Sequence, residues 1–190
     1  MHPDFHPKGK LLALEGNGPE LRTAARRLMR KCLNGRSAGG VSQWNASNIF
    51  YELRETDPSL PRPSPRVLVL LYAADLVFRL RWEIRPALEE GYCVVAAPYV
   101  QTAIAFGKAT GLPRRWLADL FSFAPKPDAC YRIPEQKITA AWMDKPSSGF
   151  LEFSCKTLSE STLGWESAEI RGRFHASLDA LEHRKGCQTL

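Results

Sequence analysis

Short, nearly continuous apolar runs alternate with amphipathic segments along this chain of 190 residues. The runs at 10–16 (KLLALEG) and 92–99 (YCVVAAPY) end at turn residues, and 128–133 (DACYRI) is a weaker third run. Continuous apolar strands of this length are typical of parallel sheets that are covered on both faces. The pattern therefore predicts three strands at these positions.

Helical periodicity fills the intervals between the predicted strands. In 20–33 the apolar residues form one stripe, while Arg22, Arg26 and Arg30 recur on the opposite face. Strands that alternate with helices indicate an α/β fold: a parallel sheet with helices on both faces. The other predicted helices, in chain order, lie at 46–55, from Ser64–Pro65 with a break or kink at Pro86, at 100–109, at 112–124 and at 165–183.

Composition and charge are compatible with one soluble domain over residues 1–190. A hydrophobic fraction of 44% supports a single sizeable core, and 1–9 is expected to be a mobile tail. The net charge of +6 and the pI near 9.2 fit an anionic ligand such as a nucleotide. The basic face of 20–33 is interpreted as a solvated helix face in preference to a nucleic-acid patch, so a nucleic-acid partner is not expected.

The cysteines and histidines suggest neither a disulfide framework nor a metal site. Five cysteines are widely spaced without a C-x-x-C pair, which indicates a reducing, cytoplasmic environment. His175 and His183 lie eight residues apart, and neither has a partner at metal-ligand spacing. The longest apolar run, 67–78, is too short to span a bilayer and contains Asp75, so no membrane partner is expected.

A glycine turn between a strand and a helix at 11–28 (LLALEGNGPELRTAARRL) is similar to a phosphate-binding loop. Such loops read G-x-x-x-x-G-K-[ST], and their glycines let backbone N–H groups cradle phosphates that the lysine also binds. Gly16 and Gly18 keep the turn, and Arg22 and Thr23 follow it, but the lysine is absent. These four residues are predicted to be a phosphate-loop remnant.

Two longer segments carry a family resemblance: 69–106 (VLLYAADLVFRLRWEIRPALEEGYCVVAAPYVQTAIAF) and 111–135 (GLPRRWLADLFSFAPKPDACYRIPE). They resemble the middle of the thymidylate kinases, which are P-loop nucleoside monophosphate kinases, in the order of several motifs. The resemblance implies a P-loop kinase fold and a homodimer seated on the apolar face of 67–80. It also implies a further strand and helix after the last predicted helix, and their absence is expected to leave an edge open to a partner.

The departures from the family pattern fall on residues that would perform phosphoryl transfer. Glu20 and Leu21 stand where glycine and lysine are expected, and Ala97-Pro98-Tyr99 replaces D-R-Y at a strand end. Leu76 replaces an arginine that binds the monophosphate. The lid region at 143–164 contains no arginine, and its GFLEFS segment is compatible with an added strand. The resemblance therefore implies a degenerate member, for which no catalytic residue is assigned.

Aromatic and small polar residues of the family's nucleoside pocket are retained. The resemblance places Tyr72 against the base and Tyr99, Thr102 and Phe106 around the monophosphate, as a nucleoside-pocket remnant. On buried segments such rings are more often core residues than ligand contacts.

Three functions remain open from the sequence. The favoured one is a pseudoenzyme that binds a nucleotide or a protein partner and uses no cofactor. The alternative is an active dTMP kinase with a non-standard P-loop, which would use ATP and magnesium and bind phosphates through Arg22, Arg79 or Arg81. A nucleic-acid-binding module is the third.

Overall fold

The structure of the protein is a computed structural model that describes residues 8–33, 38–54, 61–135, 149–159, 167–185 and 187–190. Its strands are β1 (Lys10–Glu15), β2 (Gly39–Gln43), β3 (Cys93–Ala97), β4 (Ala129–Arg132) and β5 (Gln188–Thr189). Its α-helices are α1 (Leu21–Leu33), α2 (Ile49–Arg54), α3 (Pro65–Arg79), α4 (Arg85–Glu89), α5 (Val100–Ala109), α6 (Arg114–Leu120), α7 (Phe150–Ser159) and α8 (Ser167–Lys185).

The five strands of the described residues form one parallel sheet with the order β2-β3-β1-β4-β5. Central β1 pairs with β3 on one side and with β4 on the other; Ala13, for example, lies opposite Ala96 and Cys130. The loops after β1, β2 and β3 therefore meet at one edge of the sheet. Ligands of open α/β sheets bind at this carboxyl edge.

Alternation along β1 divides the core into two layers. Leu11 and Ala13 belong to the larger cluster, which contains apolar residues of α3, α5, α7 and α8, whereas Leu12 and Leu14 pack with α1. Successive side chains of a strand point to opposite faces, so a strand that is apolar throughout must be covered twice. The predicted parallel sheet with helices on both faces is confirmed.

Helix α3 begins where the sequence indicates and ends in a different way. Ser64 caps it by accepting a hydrogen bond from the Val67 N–H (3.3 Å), and Pro65 occupies the first turn. The break predicted at Pro86 is instead a π-helical segment, Leu80–Ile84, after which α4 begins. Because a proline lacks an N–H and its ring clashes with the carbonyl four residues earlier, the wider turn accommodates Pro86 without ending the helix.

Three elements differ from the sequence prediction. The expected added strand at GFLEFS is wrong, because Phe150–Ser159 is the helix α7. β2 was not predicted, since its sequence GGVSQ has no apolar run. β5 was not predicted either, and it pairs with β4 at the edge that was expected to be open.

The absence of disulfides predicted from cysteine spacing is also wrong. Cys32 is bonded to Cys93 and Cys130 to Cys187, which are 61 and 57 residues apart in the sequence. Neighbouring strands and helices bring these residues together, and spacing alone does not show this. Cys155 is a buried free thiol, and burial raises its pKa to about 12. The cytoplasmic location stays a prediction.

Parts of two predicted segments lie outside the described residues: 1–7 of the tail, and 143–148 and 160–164 of the lid region. In the remainder of the tail, the Gly9 N–H donates to the Leu88 carbonyl (2.9 Å). Within the described parts of the chain, no helix combines the length and the apolar character that crossing a membrane requires.

Candidate functional site

The loop after β1 keeps the glycine turn but uses its polar groups inside the protein. Gly16 and Gly18 have φ of 131° and 125°, a region that favours glycine. The Gly16 N–H donates to the Thr102 Oγ (3.1 Å), and the buried Asn17 donates through Nδ2 to Glu152 Oε1 (3.4 Å). A phosphate would have to displace these partners to reach the loop.

At the start of α1, the position where the resemblance expects the lysine is occupied by Leu21. Leu21 is buried in the smaller core cluster. Arg22 is exposed and lines the cleft at the carboxyl edge of the sheet, whereas Thr23 is exposed and is not among the lining residues. Of the two residues predicted to follow the turn, Arg22 therefore faces the site.

Glu15, at the end of β1, joins the phosphate loop to the start of α5. Its fully buried carboxylate accepts from the backbone N–H groups of Tyr99 (3.2 Å), Gln101 (3.0 Å) and Thr102 (2.9 Å), and from the Thr102 hydroxyl (2.7 Å). Burial raises the pKa of Glu15, and these hydrogen bonds, led by that of Thr102, oppose the rise. Thr102 thus joins the start of α5 to the end of β1. No site was predicted from Glu15.

The predicted nucleoside pocket is filled by protein side chains. Tyr72 and Phe106 are at most 1% exposed, and the ring of Phe150 from α7 contacts both, at centroid distances of 4.7 Å and 5.1 Å. Two further rings surround Phe150: Phe50 at 5.7 Å and Trp44 at 6.1 Å. These five rings form what we call the aromatic cluster.

The hydroxyl groups of the predicted pocket are likewise engaged. Tyr72 donates to the Tyr99 carbonyl (2.7 Å), and Tyr99 donates to the Pro125 carbonyl (2.8 Å). Burial raises the pKa of both phenols. The structure thus places Tyr72, Tyr99, Thr102 and Phe106 in the buried part of the protein, with their polar groups bonded to other residues.

Glu152 connects α7 to α8 by a salt bridge and to the loop after β1 by a hydrogen bond. Glu152 is 2% exposed and forms a salt bridge with Arg171 of α8, whose Nε donates to Glu152 Oε1 (3.1 Å). The same carboxylate accepts from Asn17 of the loop. Sequence reasoning missed Phe150 and Glu152 because it assigned them to the altered lid region, in a segment compatible with an added strand, and not to a helix.

A buried aspartate shapes the loop after β2. Asp75 of α3 accepts from the N–H of Asn45 (2.8 Å), the N–H of Ser47 (2.9 Å) and the hydroxyl of Ser47 (2.7 Å). Asn45 Oδ1 in turn accepts from the Phe50 N–H (2.9 Å) at the start of α2. Asp75 therefore fixes this loop at the cleft.

Arg79 is a fully buried structural residue. It donates through Nε to Ser42 Oγ (2.9 Å), through Nη2 to the Ser42 carbonyl (2.8 Å) and through Nη1 to the Pro98 carbonyl (2.9 Å). Ser42 Oγ, which accepts from Arg79, also donates a hydrogen bond to Glu83 Oε2 (2.6 Å). The guanidinium holds the ends of β2 and β3 together and has no open path to a phosphate.

The cleft at the carboxyl edge has a volume of 360 Å³. Among the described residues that line it, Arg22 is the charged one, and Arg81 lies elsewhere, against Trp82 (5.2 Å). Of the three arginines considered as phosphate ligands, one therefore reaches the cleft. The cleft is lined by Gly18, Pro19, Leu21, Arg22, Gln43, Trp44, Asn45, Asn48, Tyr51, Ala97 and Gly149.

Comparison with known proteins connects this site to one family. A thymidylate kinase of Brachyspira hyodysenteriae is 25% identical over 147 residues, which cover 76% of this chain and 72% of that protein. A probable thymidylate kinase of Pyrobaculum aerophilum is 39% identical over 64 residues, 34% of this chain. The chain is related to the thymidylate kinases. No family model matches it, and its match spans about a third of the Pyrobaculum aerophilum protein (33%).

The fold of the thymidylate kinases is present throughout the chain. The crystal structure of thymidylate kinase from Ehrlichia chaffeensis superimposes with a TM-score of 0.68 at 11% identity, covering 97% of this chain and 86% of that one. The predicted P-loop kinase-like fold is confirmed. The sheet edge that carries the phosphate loop of this fold is the edge that carries the cleft.

The residues of this thymidylate kinase-like chain do not fit ATP and magnesium. The loop N–H of Gly16 and the side chain of Asn17 already have protein partners, and Leu21 is buried. Ala97 supplies no carboxylate at the end of β3, where a metal-organising acid would stand. A single exposed arginine does not replace the several charges that hold a nucleoside triphosphate.

We expect Gly16→Ala to lower the free energy of unfolding by about 1–3 kcal/mol, because its φ is costly for other residues. A Cβ at this position would also lie 2.6 Å from Ile133 Cγ1. Gly40→Ala is the matched control, since a Cβ there meets nothing within 4 Å and its φ is ordinary. Urea unfolding of both variants measures the difference, and equal stabilities would show that the turn is relaxed.

Proposed function

We propose that this chain is a thymidylate kinase-like pseudoenzyme that acts by binding a protein partner. The observation that carries the proposal is the position of Phe150, whose buried ring packs against both Tyr72 and Phe106. In the resemblance these two residues belong to the nucleoside pocket. A nucleobase could not bind beside Tyr72 and Phe106 while the Phe150 ring is there, so α7 blocks the acceptor pocket.

The distribution of charge supports the same proposal. Phosphoryl transfer depends on positioning and on cations that neutralise the developing charge. The resemblance expects a lysine, an arginine and a carboxylate at three positions that hold Leu21, Leu76 and Ala97 here, each of them buried. Charged groups at these positions would need solvent or partners that the surrounding core does not offer.

The alternative of an active dTMP kinase rests on Arg22, which lines the cleft. Arg22 lies one residue after the position of the family's lysine. Its planar guanidinium also differs in shape from the compact ammonium of that lysine. Activity would also require α7 to leave the acceptor pocket. Turnover therefore separates the two functions.

We expect the purified protein to show no thymidylate kinase turnover, and neither Leu21→Lys nor Ala97→Asp to restore any. Catalytic groups act as a unit, so one restored group leaves the others missing. The measurement is a coupled ADP-release assay with thymidine monophosphate, ATP and magnesium. Turnover in the usual kinase range of about 1 to 100 per second would contradict the pseudoenzyme proposal.

A control variant, purified in the same way, shows whether any measured activity comes from contaminating host kinase. The double variant Arg22→Ala with Gly18→Ala, purified in the same way, removes the cation at the cleft and strains the turn at φ 125°. Contaminating activity persists in that preparation, whereas activity of this chain through Arg22 would be lost.

We further propose that the exposed apolar side of α3 and of the π-helical segment binds a second copy of this chain. Val77, Phe78 and Trp82 are 48%, 38% and 63% exposed. Leu70, about two helical turns before Val77, is 43% exposed. A contiguous apolar surface of this kind marks an interaction site. A twofold contact between two identical helix faces would cover both at once.

We expect sedimentation velocity to show a dimer that Val77→Asp converts to a monomer, because the substitution places like charges opposite each other across the twofold axis. Leu190→Asp is the matched control, since Leu190 is similarly exposed (43%) but lies beside β5. A monomeric wild-type protein, or equal behaviour of the two variants, would place the partner surface elsewhere.

A further inference from the structure

The exposed side of α1 is a continuous basic surface, which we call the basic face. Five cations and Thr23 are its exposed residues, and α1 has no acidic residue in its first turn. None of the five cations forms a salt bridge or a side-chain hydrogen bond with any described residue. Unpaired cations concentrated on one face are the electrostatic mark of a polyanion site. They are Arg22, Arg26, Arg27, Arg30 and Lys31.

These cations are arranged in a row that leads to the cleft. Arg22, Arg26 and Arg30 follow one another at intervals of four residues, which places them on one side of the helix about 6 Å apart. Arg22, at the start of the row, lines the cleft. A chain of phosphates that follows the row is thereby directed into the cleft.

The cleft offers the groups that bind an unpaired base. Tyr51 is 44% exposed and lines it, so part of its ring is accessible for stacking. Gln43, Asn45 and Asn48 line the same cleft. Asn45 Oδ1 already accepts from the Phe50 N–H (2.9 Å) and Asn48 Nδ2 donates to Glu52 Oε1 (3.4 Å), so the Gln43 amide, which can both donate and accept, is the group for a base edge. Aromatic rings combined with a basic track are how proteins bind single strands without duplex geometry.

We propose that the basic face and the cleft bind the end of a single-stranded nucleic acid, with phosphates along Arg22, Arg26 and Arg30 and the terminal base against Tyr51. The inference rests on the proposed function, because a cleft that bound ATP would not be available to the strand. A paired base could not enter the cleft, which distinguishes a single strand from a duplex. A membrane is disfavoured because the exposed positions of α1 are cations and Thr23, with no apolar residue to insert.

The first test is the salt dependence of binding of fluorescein-labelled dT12 and rU12, followed by anisotropy between 50 and 200 mM salt. Three phosphate contacts on a single strand, one for each of Arg22, Arg26 and Arg30, predict a loss of affinity of about eighteenfold over this range. Arg26→Ala with Arg30→Ala removes two of these contacts and is expected to reduce the loss to about threefold. Arg114→Ala with Arg115→Ala, which removes two exposed cations of α6, is the matched control and is expected to leave the salt dependence unchanged.

The second test concerns the cleft. Tyr51→Ala is expected to weaken binding about tenfold through the loss of one stacked base, whereas Tyr51→Phe keeps the ring and the affinity. Binding of either the DNA or the RNA strand supports the inference, and the stronger of the two identifies the preferred sugar. Equal binding of a blunt duplex, equal loss in the Arg114 and Arg115 control, or tighter binding to anionic lipid vesicles would overturn it.

Failure of this inference is distinguishable from failure of the proposed function. Turnover in the kinase assay overturns the proposed function. An inactive protein that does not bind either oligonucleotide at 50 mM salt overturns only the single-strand site.

Discussion

Phe150→Ala is expected to lower the free energy of unfolding by about 3–5 kcal/mol, the usual cost of removing a fully buried aromatic ring. Phe150 is 1% exposed and contacts the other four rings of the aromatic cluster. Neighbours that are packed this closely relax only in part, so the variant keeps an apolar cavity beside Tyr72 and Phe106. The stability change is measured by urea unfolding.

Phe153→Ala is the matched control, because Phe153 lies one turn later in α7, is only partly buried and contacts two of the same rings. Engineered apolar cavities of this kind bind small aromatic molecules. We therefore expect thymidine or indole to raise the melting temperature of Phe150→Ala but not that of the wild type or of Phe153→Ala. A stability loss below about 1 kcal/mol would show that the ring is not packed within the aromatic cluster.

Arg79→Ala is expected to destabilise the fold by about 2–6 kcal/mol, because two buried carbonyl oxygens would lose their side-chain donor at about 1–3 kcal/mol each. Without the guanidinium, the carbonyl oxygens of Ser42 and Pro98 lose their side-chain donor, and the Glu83 carboxylate loses a cation that acts through Ser42 Oγ. Arg79→Lys is expected to have a stability between those of the wild type and Arg79→Ala, because an ammonium keeps the charge but cannot reproduce the three directed N–H groups of the guanidinium.

Arg81→Ala is the matched control for Arg79. Arg81 lies two residues later on the same helical segment, is exposed and stacks on Trp82. Substitutions at such surface positions usually change stability by no more than about 0.5 kcal/mol. Chemical denaturation measures both variants, and similar losses for Arg79→Ala and Arg81→Ala would contradict the structural role of Arg79.

The parallel α/β architecture could be read from the chain because β1, β3 and β4 are short apolar runs bounded by turn residues. β2 and β5 escaped prediction for the opposite reason. β2 contains two glycines and lies at a sheet edge, and β5 has two exposed residues, so neither needs an apolar sequence. Their strand character comes from hydrogen bonds to β3 and β4, which only the folded sheet supplies.

The site shows the same division residue by residue. The sequence sufficed to predict that Leu21, Leu76 and Ala97 stand where charged groups are expected, because residue type alone decides this. It also placed Tyr72, Tyr99, Thr102 and Phe106 near one another through the order of the motifs. It did not decide whether those rings bind a ligand or one another, since an aromatic side chain suits both environments.

By itself, then, the sequence determined the period of its apolar positions, the glycine turn after β1 and the loss of the phosphate-binding lysine, all of which depend on residue type and local spacing. The tertiary structure decided the fate of the remaining groups. It made Arg79 a buried residue that donates hydrogen bonds to Ser42 and Pro98, and it brought Phe150 from a segment distant in the chain against Tyr72 and Phe106. The physical reason is that a buried charge or ring acquires its role from the partners around it, and those partners come from strands and helices that are far apart in the sequence.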